Sequence, residues 1–458
     1  MSGPMALEPG GTGGDTLSLR LAAPRAPAGS APGRGAERDA VDRLAAELAD
    51  GVGPAVHPYE VAALLESEGL TAEVIQERYG HPNLFSLASA LYERVPRTFP
   101  EPPRPADPWR PDHVRCALRG ALFALPGLAY LLTAPLWHAG RDLRVLVVAG
   151  LVSWAWGQAL GHRAYVRMAT GRREAGRTLL AGAPLGALAA TGAGALAGGS
   201  GTAIGVAAAQ SVYLAAAGVL LVLGGERLLL AALTPLIAGA AALPWWDPGP
   251  LPRVALTLLS VLGSVAGAGW ALRSALSASP APGAARPSLL RSLPYGVFGL
   301  SAGVLVLLEG RQQPYAVVVL TVSMGPAEWL LYRYRGLSVS VLRATATPAA
   351  FLLRSTGVLG LCLLLYVLPL LPAARLTGAE PAPLLLLAAT LWTALLLQAF
   401  GAAWQPAVVC LAAAGGAAAA TVLRSPPGAD VLTLSCGAAC LCLAVCAVRL
   451  LGRPAPHA

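Results

Sequence analysis

The sequence predicts an all-α, polytopic membrane protein. It should have about 12 transmembrane helices in two parallel six-helix repeats, with a small cytoplasmic helical module on the N-terminal side. Three observations predict this. The 458 residues are 55% hydrophobic and only 12% charged, with a mean hydropathy of +0.60, and apolar runs of about 20 residues recur, as bilayer-spanning helices require. The arginines gather in the segments between those runs. One stretch occurs twice: Val152-Ser153-Trp154-Ala155-Trp156-Gly157-Gln158-Ala159-Leu160-Gly161-His162-Arg163 returns as Val322-Ser323-Met324-Gly325-Pro326-Ala327-Glu328-Trp329-Leu330-Leu331-Tyr332-Arg333. Without a gap the copies share Val-Ser, set Gln158 opposite Glu328, and end on an aromatic or imidazole ring followed by Arg. An internal duplication leaves this trace.

Residues 1–37 are rich in Gly, Ala and Pro and have no continuous apolar core, which reads as a disordered tail and not a secretory signal. Residues 38–95 change character. Val41, Leu44 and Leu48 recur at helical spacing, and Pro58 suits a first helical position before Val61, Leu64 and Leu65. Thr71 can cap a third helix that Gly80 ends, and Leu84, Phe85, Leu87, Ala88, Leu91 and Tyr92 give a fourth apolar face. The module either docks on the membrane domain or recruits a cytoplasmic protein partner. Residues 96–116 are a proline-rich linker.

Twelve apolar segments follow, near 120–137, 145–161, 178–197, 202–223, 228–246, 254–272, 293–308, 315–331, 350–371, 383–400, 405–423 and 431–448. The basic linker 273–292 divides them into halves 117–272 and 293–450, and 451–458 is a short tail. Phe123-Ala124-Leu125 and Phe298-Gly299-Leu300 extend the match between halves if a small gap is allowed.

All 33 basic residues are arginine. Residues 1–112 hold 10 of them against 16 acids, and the remainder holds 23 against 8. This split reflects topology and not nucleic-acid binding. With the N-terminus inside, inner segments receive 16 of the later arginines and outer segments 6. The bias places both termini in the cytoplasm of a multi-pass plasma-membrane protein.

The sequence offers few groups for chemistry. Glu328 and Arg354 lie at similar depth near the inner ends of the eighth and ninth segments, where they can pair as a clamp, form an inner gate or bind an anionic head group. Gln158 occupies the Glu328 position in the first half, and Gln210 lies nearer mid-membrane, as interhelical glue or a substrate contact. Glu309 and Arg311 read as solvated at an outer end, and the outer Asp142, Asp247 and Asp430 read as isolated. Cys436, Cys440, Cys442 and Cys446 share faces of the last segment, as small packing residues or, less readily, as soft-metal ligands. No disulfide framework, metal, cofactor or catalytic constellation is expected, so the chain does not read as an enzyme.

The six-plus-six layout over residues 117–450 resembles the multidrug/oligosaccharidyl-lipid/polysaccharide flippase superfamily and the major facilitators. The latter usually carry an Asp in the loop after the second helix. Here that loop offers Gly161, Arg163, Gly171, Arg172 and Arg173 without one. Val56–Val95 resembles part of uncharacterised actinobacterial membrane proteins. These resemblances imply a transporter or flippase for an amphipathic or lipid-linked envelope precursor, including polysaccharide precursors. The alternative is a non-transporting scaffold that recruits a partner through residues 38–95.

Overall fold

The computed structural model describes residues 34–96, 98, 110–280, 288–423 and 431–455. The expectations for residues 1–33, most of the proline-rich linker, the centre of the 273–292 linker and Asp430 lie outside the described residues. Every described element is helical, and the chain divides into two compact units on either side of residue 106.

The first unit holds α1 (Arg34–Glu47), α2 (Ala49–Val52), α3 (Pro58–Ser67), α4 (Ala72–Tyr79) and α5 (Leu84–Arg94). Local signals set its boundaries. Pro58 opens α3, the Thr71 hydroxyl accepts from Val74 N, and the Asn83 amide oxygen accepts from Ser86 N at 2.8 Å. Gly80 closes α4 with φ +65°. Val41, Val61, Leu65, Ile75, Leu87 and Leu91 form a core of its own. The sequence misplaces one residue of the fourth face: Phe85 is 57% exposed, because Leu84, Leu87, Ala88 and Leu91, at i, i+3, i+4 and i+7, take the inner face of α5.

The second unit is a multi-pass helical bundle. Its first half comprises α6 (His113–Ala124), α7 (Leu128–Thr133), α8 (Ala139–Thr170), α9 (Arg172–Leu196), α10 (Gly201–Leu223), α11 (Glu226–Ala242) and α12 (Pro250–Leu276). Its second half comprises α13 (Leu293–Gln312), α14 (Pro314–Val322), α15 (Met324–Arg343), α16 (Pro348–Val367), α17 (Leu370–Thr377), α18 (Pro381–Ala399), α19 (Trp404–Val422) and α20 (Val431–Leu451). Among the described residues, 10 helical stretches are long and apolar enough to cross a membrane, and α14 with α15 makes 11 if that bent pair is one span. The remaining predicted segment is α11, whose 17 residues reach about 25 Å. Several helices outrun the predicted segments, α8 most of all at 32 residues. Hydropathy marks the lipid-facing part of a helix, whereas the backbone ladder continues through polar end turns.

The neighbours repeat. In the first half, α8 packs on α9 and α10, α10 on α9 and α12, α11 on α12, and α6 with α7 on α11. In the second, α14 and α15 pack on α16, α17 and α18, α18 on α16, α17 and α20, α19 on α20, and α13 on α19. Between the halves, α8 packs on α13, and α6 on α14 and α15. These two seams exchange under the same correspondence. The second and eighth segments each pack on the other half's first segment.

Both seams depend on glycine. A Cβ on Gly120 would lie 2.8 Å from Gly325 Cα, and one on Gly299 would lie 3.2 Å from Ala155 Cα. Among the described residues, one buried apolar cluster runs from Phe298 to Leu451 and another from Leu122 to Ala275.

The duplicated stretch diverges in shape. α8 runs through Val152–Arg163 unbroken, but its second copy is bent by 42° between α14 and α15. Pro326 supplies the physical reason. It has no N–H to donate to the Val322 carbonyl, so the ladder opens there.

Candidate functional site

A cavity of about 420 Å³ lies where the two halves meet. Most of its wall belongs to the first half, including Phe123, Trp154, Trp156, Gln158 and Tyr165. The second half contributes Met324, Ala327, Glu328 and Leu331 of α15, and Leu395 of α18. The asymmetry has a packing cause. On the second-half side, Trp392 is buried, stacks on Tyr366 with centroids 6.2 Å apart, and donates its indole N–H to Ala327 O at 3.2 Å. Large rings therefore occupy that space.

Arg119 and Glu328 of the cavity wall belong to an ion-pair network. Arg119 of α6 donates through Nη1 to Glu328 Oε1 at 2.6 Å, through Nε to Glu226 Oε1 at 3.1 Å and through Nη2 to Leu221 O at 3.3 Å. Arg115, one turn earlier, donates to the same Glu226 oxygen at 2.9 Å. Glu226 sits in the first turn of α11, where the helix dipole favours an acid. Leu221 O and Leu223 O end α10 without helical partners and accept from Arg119 and Arg172. Arg119 thus ties α6, α10 and α11 of the first half to α15 of the second. Beside this network, Arg167 pairs with buried Glu174, which also accepts from Arg177 at 3.0 Å.

Each seam also carries a ring pair towards the arginine-rich end. His162 stacks on Tyr295 at 3.8 Å across the α8–α13 seam, with its Nδ1 3.1 Å from Ser292 Oγ. Across the α6–α15 seam, Trp329 donates its indole N–H to His113 Nδ1 at 2.9 Å.

The structure brings two of the four sequence-predicted site residues together. Gln158 and Glu328 line the cavity from opposite halves. Gln210 lies behind the wall: its Nε2 donates to Leu146 O at 3.4 Å, and its buried Oε1 meets no partner among the described residues. This is a contact between α8 and α10. Arg354 does not reach Glu328. It is exposed and donates to Ala344 O at 3.4 Å, because Phe351, Ser355 and Leu359 occupy the inward face of α16. The expected Glu328–Arg354 pair is therefore replaced by Glu328–Arg119.

Three acids also differ from expectation. Glu309 is fully buried and not solvated. Asp142 is buried and accepts from Ser200 N and Oγ, both at 3.0 Å, and from His138 N at 3.1 Å, joining the starts of α8 and α10. Asp247 pairs with Arg253 at 3.0 Å, and this hydrogen bond holds its carboxyl below the usual range. Among the described residues, no group of three or more His, Cys, Asp or Glu side chains is placed to hold a metal ion.

Sequence reading missed Arg119, Arg115 and Glu226 as site residues. Arg115 and Arg119 are spaced i, i+4 at the start of a span, and Glu226 follows two glycines at a helix start. Those signals were present, but counting these residues as loop charges for topology concealed that they converge.

Comparison with known proteins returns little. No family model and no curated protein matches the chain. Among solved structures, it is similar to a MOP superfamily transporter from Pyrococcus furiosus, with 14% identity and a TM-score of 0.40 over 75% of this chain and 96% of that one.

Proposed function

We propose that this chain is a membrane transporter of flippase type that moves an amphipathic substrate, such as a lipid-linked envelope precursor, through a cavity between duplicated six-helix halves. The cavity at the junction of the halves, with the Arg119–Glu328 pair in its wall, carries this reading. Its walls are mostly apolar, and Arg119 and Glu328, bonded to each other, are its charged lining residues, as an amphiphile requires. The two halves meet at glycine seams and a polar latch while each keeps its own core, so they can rock as bodies. The arginine bias places the latch on the cytoplasmic side and makes it an inner gate.

The experiment is dithionite bleaching of fluorescent phospholipid and polyprenyl-phosphate analogues in proteoliposomes. Transbilayer exchange should be faster than in protein-free vesicles, and Glu328→Gln should change the rate several-fold. Unaccelerated exchange of both analogues would remove the transport reading.

The N-terminal unit favours a second role alongside transport. It has its own core and exposes Tyr59 and Phe85 side by side, with ring centroids 5.6 Å apart. We read it as a site that recruits a cytoplasmic protein. Removing residues 1–100 should leave transport intact and abolish recruitment.

A further inference from the structure

We infer that the cavity takes a zwitterionic amphiphile, with an anionic and a cationic group in one head. This rests on the transport reading and goes beyond it by naming the charge type of the substrate. Arg119 and Glu328 are the charged residues among those lining the cavity, and they are bonded to each other. The other two charges of the network, Arg115 and Glu226, are matched to each other. Glu226 is shared by Arg115 and by Arg119 Nε, while Arg119 Nη2 is held by Leu221 O. Arg119 Nη1 and Glu328 are therefore the groups left to exchange partners, and the four side chains sum to zero charge.

Each class of head group meets this pair differently. A neutral head leaves the latch closed. An anion that takes Nη1 leaves the Glu328 carboxylate without its cation in a largely desolvated place, and a cation that takes Glu328 leaves Nη1 short. A zwitterion replaces one internal pair with two pairs to itself. The charge balance is kept, and the ion-pair tie between α6 and α15 is released. Aromatic walls at Phe123, Trp154 and Trp156 suit the apolar body, while Gln158 offers hydrogen bonds to the head.

The test uses the full chain in dodecyl maltoside micelles, with chain-brominated probes that quench tryptophan fluorescence. The probes are lysophosphatidylethanolamine (zwitterion), lysophosphatidic acid (anion) and an alkylammonium of equal chain length (cation). Free phosphoethanolamine, competed against the first, separates a lipid head from a soluble zwitterion. The zwitterionic lipid should bind at least about tenfold more tightly than either singly charged probe, and free phosphoethanolamine should compete poorly. Glu328→Gln should shift preference towards the anion, and Arg119→Gln towards the cation. Equal binding of the three lipids, or an unchanged ranking in both variants, would overturn the inference while leaving amphiphile transport standing. Equally tight binding of free phosphoethanolamine would overturn the amphiphile. Absence of quenching by every lipid probe would overturn both readings. If a variant does not fold, the ranking on the unmodified chain decides.

Discussion

Arg119 divides its guanidinium among three acceptors on three helices, so its contribution is best measured as a coupling. The Arg119–Glu328 pair is neither sealed nor solvated, with side chains 15% and 21% exposed. Its coupling in a double-mutant cycle of Arg119→Gln and Glu328→Gln should fall between the roughly 0–1 kcal/mol of an exposed pair and the roughly 3–5 kcal/mol cost of breaking a buried one. Thermal or denaturant unfolding in detergent reads this value. Arg354→Gln should be additive with Glu328→Gln, since Arg354 donates to the Ala344 carbonyl and lies at the surface. Coupling of Arg354 as strong as that of Arg119 would contradict the geometry. Glu328 could be singled out from the sequence because an acid inside an apolar run stands out. Its partner could not, because arginines at the edge of a span look alike until the helices are placed.

At the scale of the element, the seams depend on missing side chains. Gly120→Ala sets a methyl 2.8 Å from Gly325 Cα and must push α6 away from α15. This should cost about 1–3 kcal/mol, as other overpacked sites do, and should reduce crosslinking between cysteines introduced on the two helices. Gly360→Ala, with nothing within 4 Å of the added Cβ, is the matched control and should be neutral or slightly stabilising. In the N-terminal unit, burial pushes the His81 imidazole below its ordinary 6.5; Arg94 acts in the same direction and Glu37 against it. The unfolded chain then binds the proton more readily than the folded one. The stability tied to His81 is present above pH 6.5 and is lost as pH falls through the lower folded value. Unfolding of the unit between pH 7.5 and 5 should show this slope, and His81→Gln should flatten it. Helix caps here were legible from sequence, since Pro58, Thr71, Gly80 and Asn83 act within a few residues. The bend at Pro326 was equally local, but its consequence, the approach of Gly325 to Gly120, was not.

For the whole molecule, the arginine bias predicts sidedness. A reporter inserted in the 273–292 linker should report the cytoplasm, and one inserted before exposed Glu380 should report the exterior. Ala379 next to it is buried and would be a poorer site. Reversed signals at both positions would invert the orientation and move the Arg119–Glu328 latch to the outer face.

The sequence by itself determined that this is a helical, multi-pass protein, roughly where each helix runs, and that the chain carries a repeated stretch. These features follow from hydropathy, capping residues and the backbone's need to satisfy its own hydrogen bonds in lipid, all of which act over one helix at a time. Only the tertiary structure decided which helices form the seams, that Trp392 and its neighbours fill one half while the other keeps a cavity, and that Glu328 meets Arg119 rather than Arg354. Those outcomes depend on helix rotation and on contacts between residues from tens to about 200 positions apart. A hydropathy profile contains neither, because every face of a membrane helix is apolar whether it meets lipid or protein.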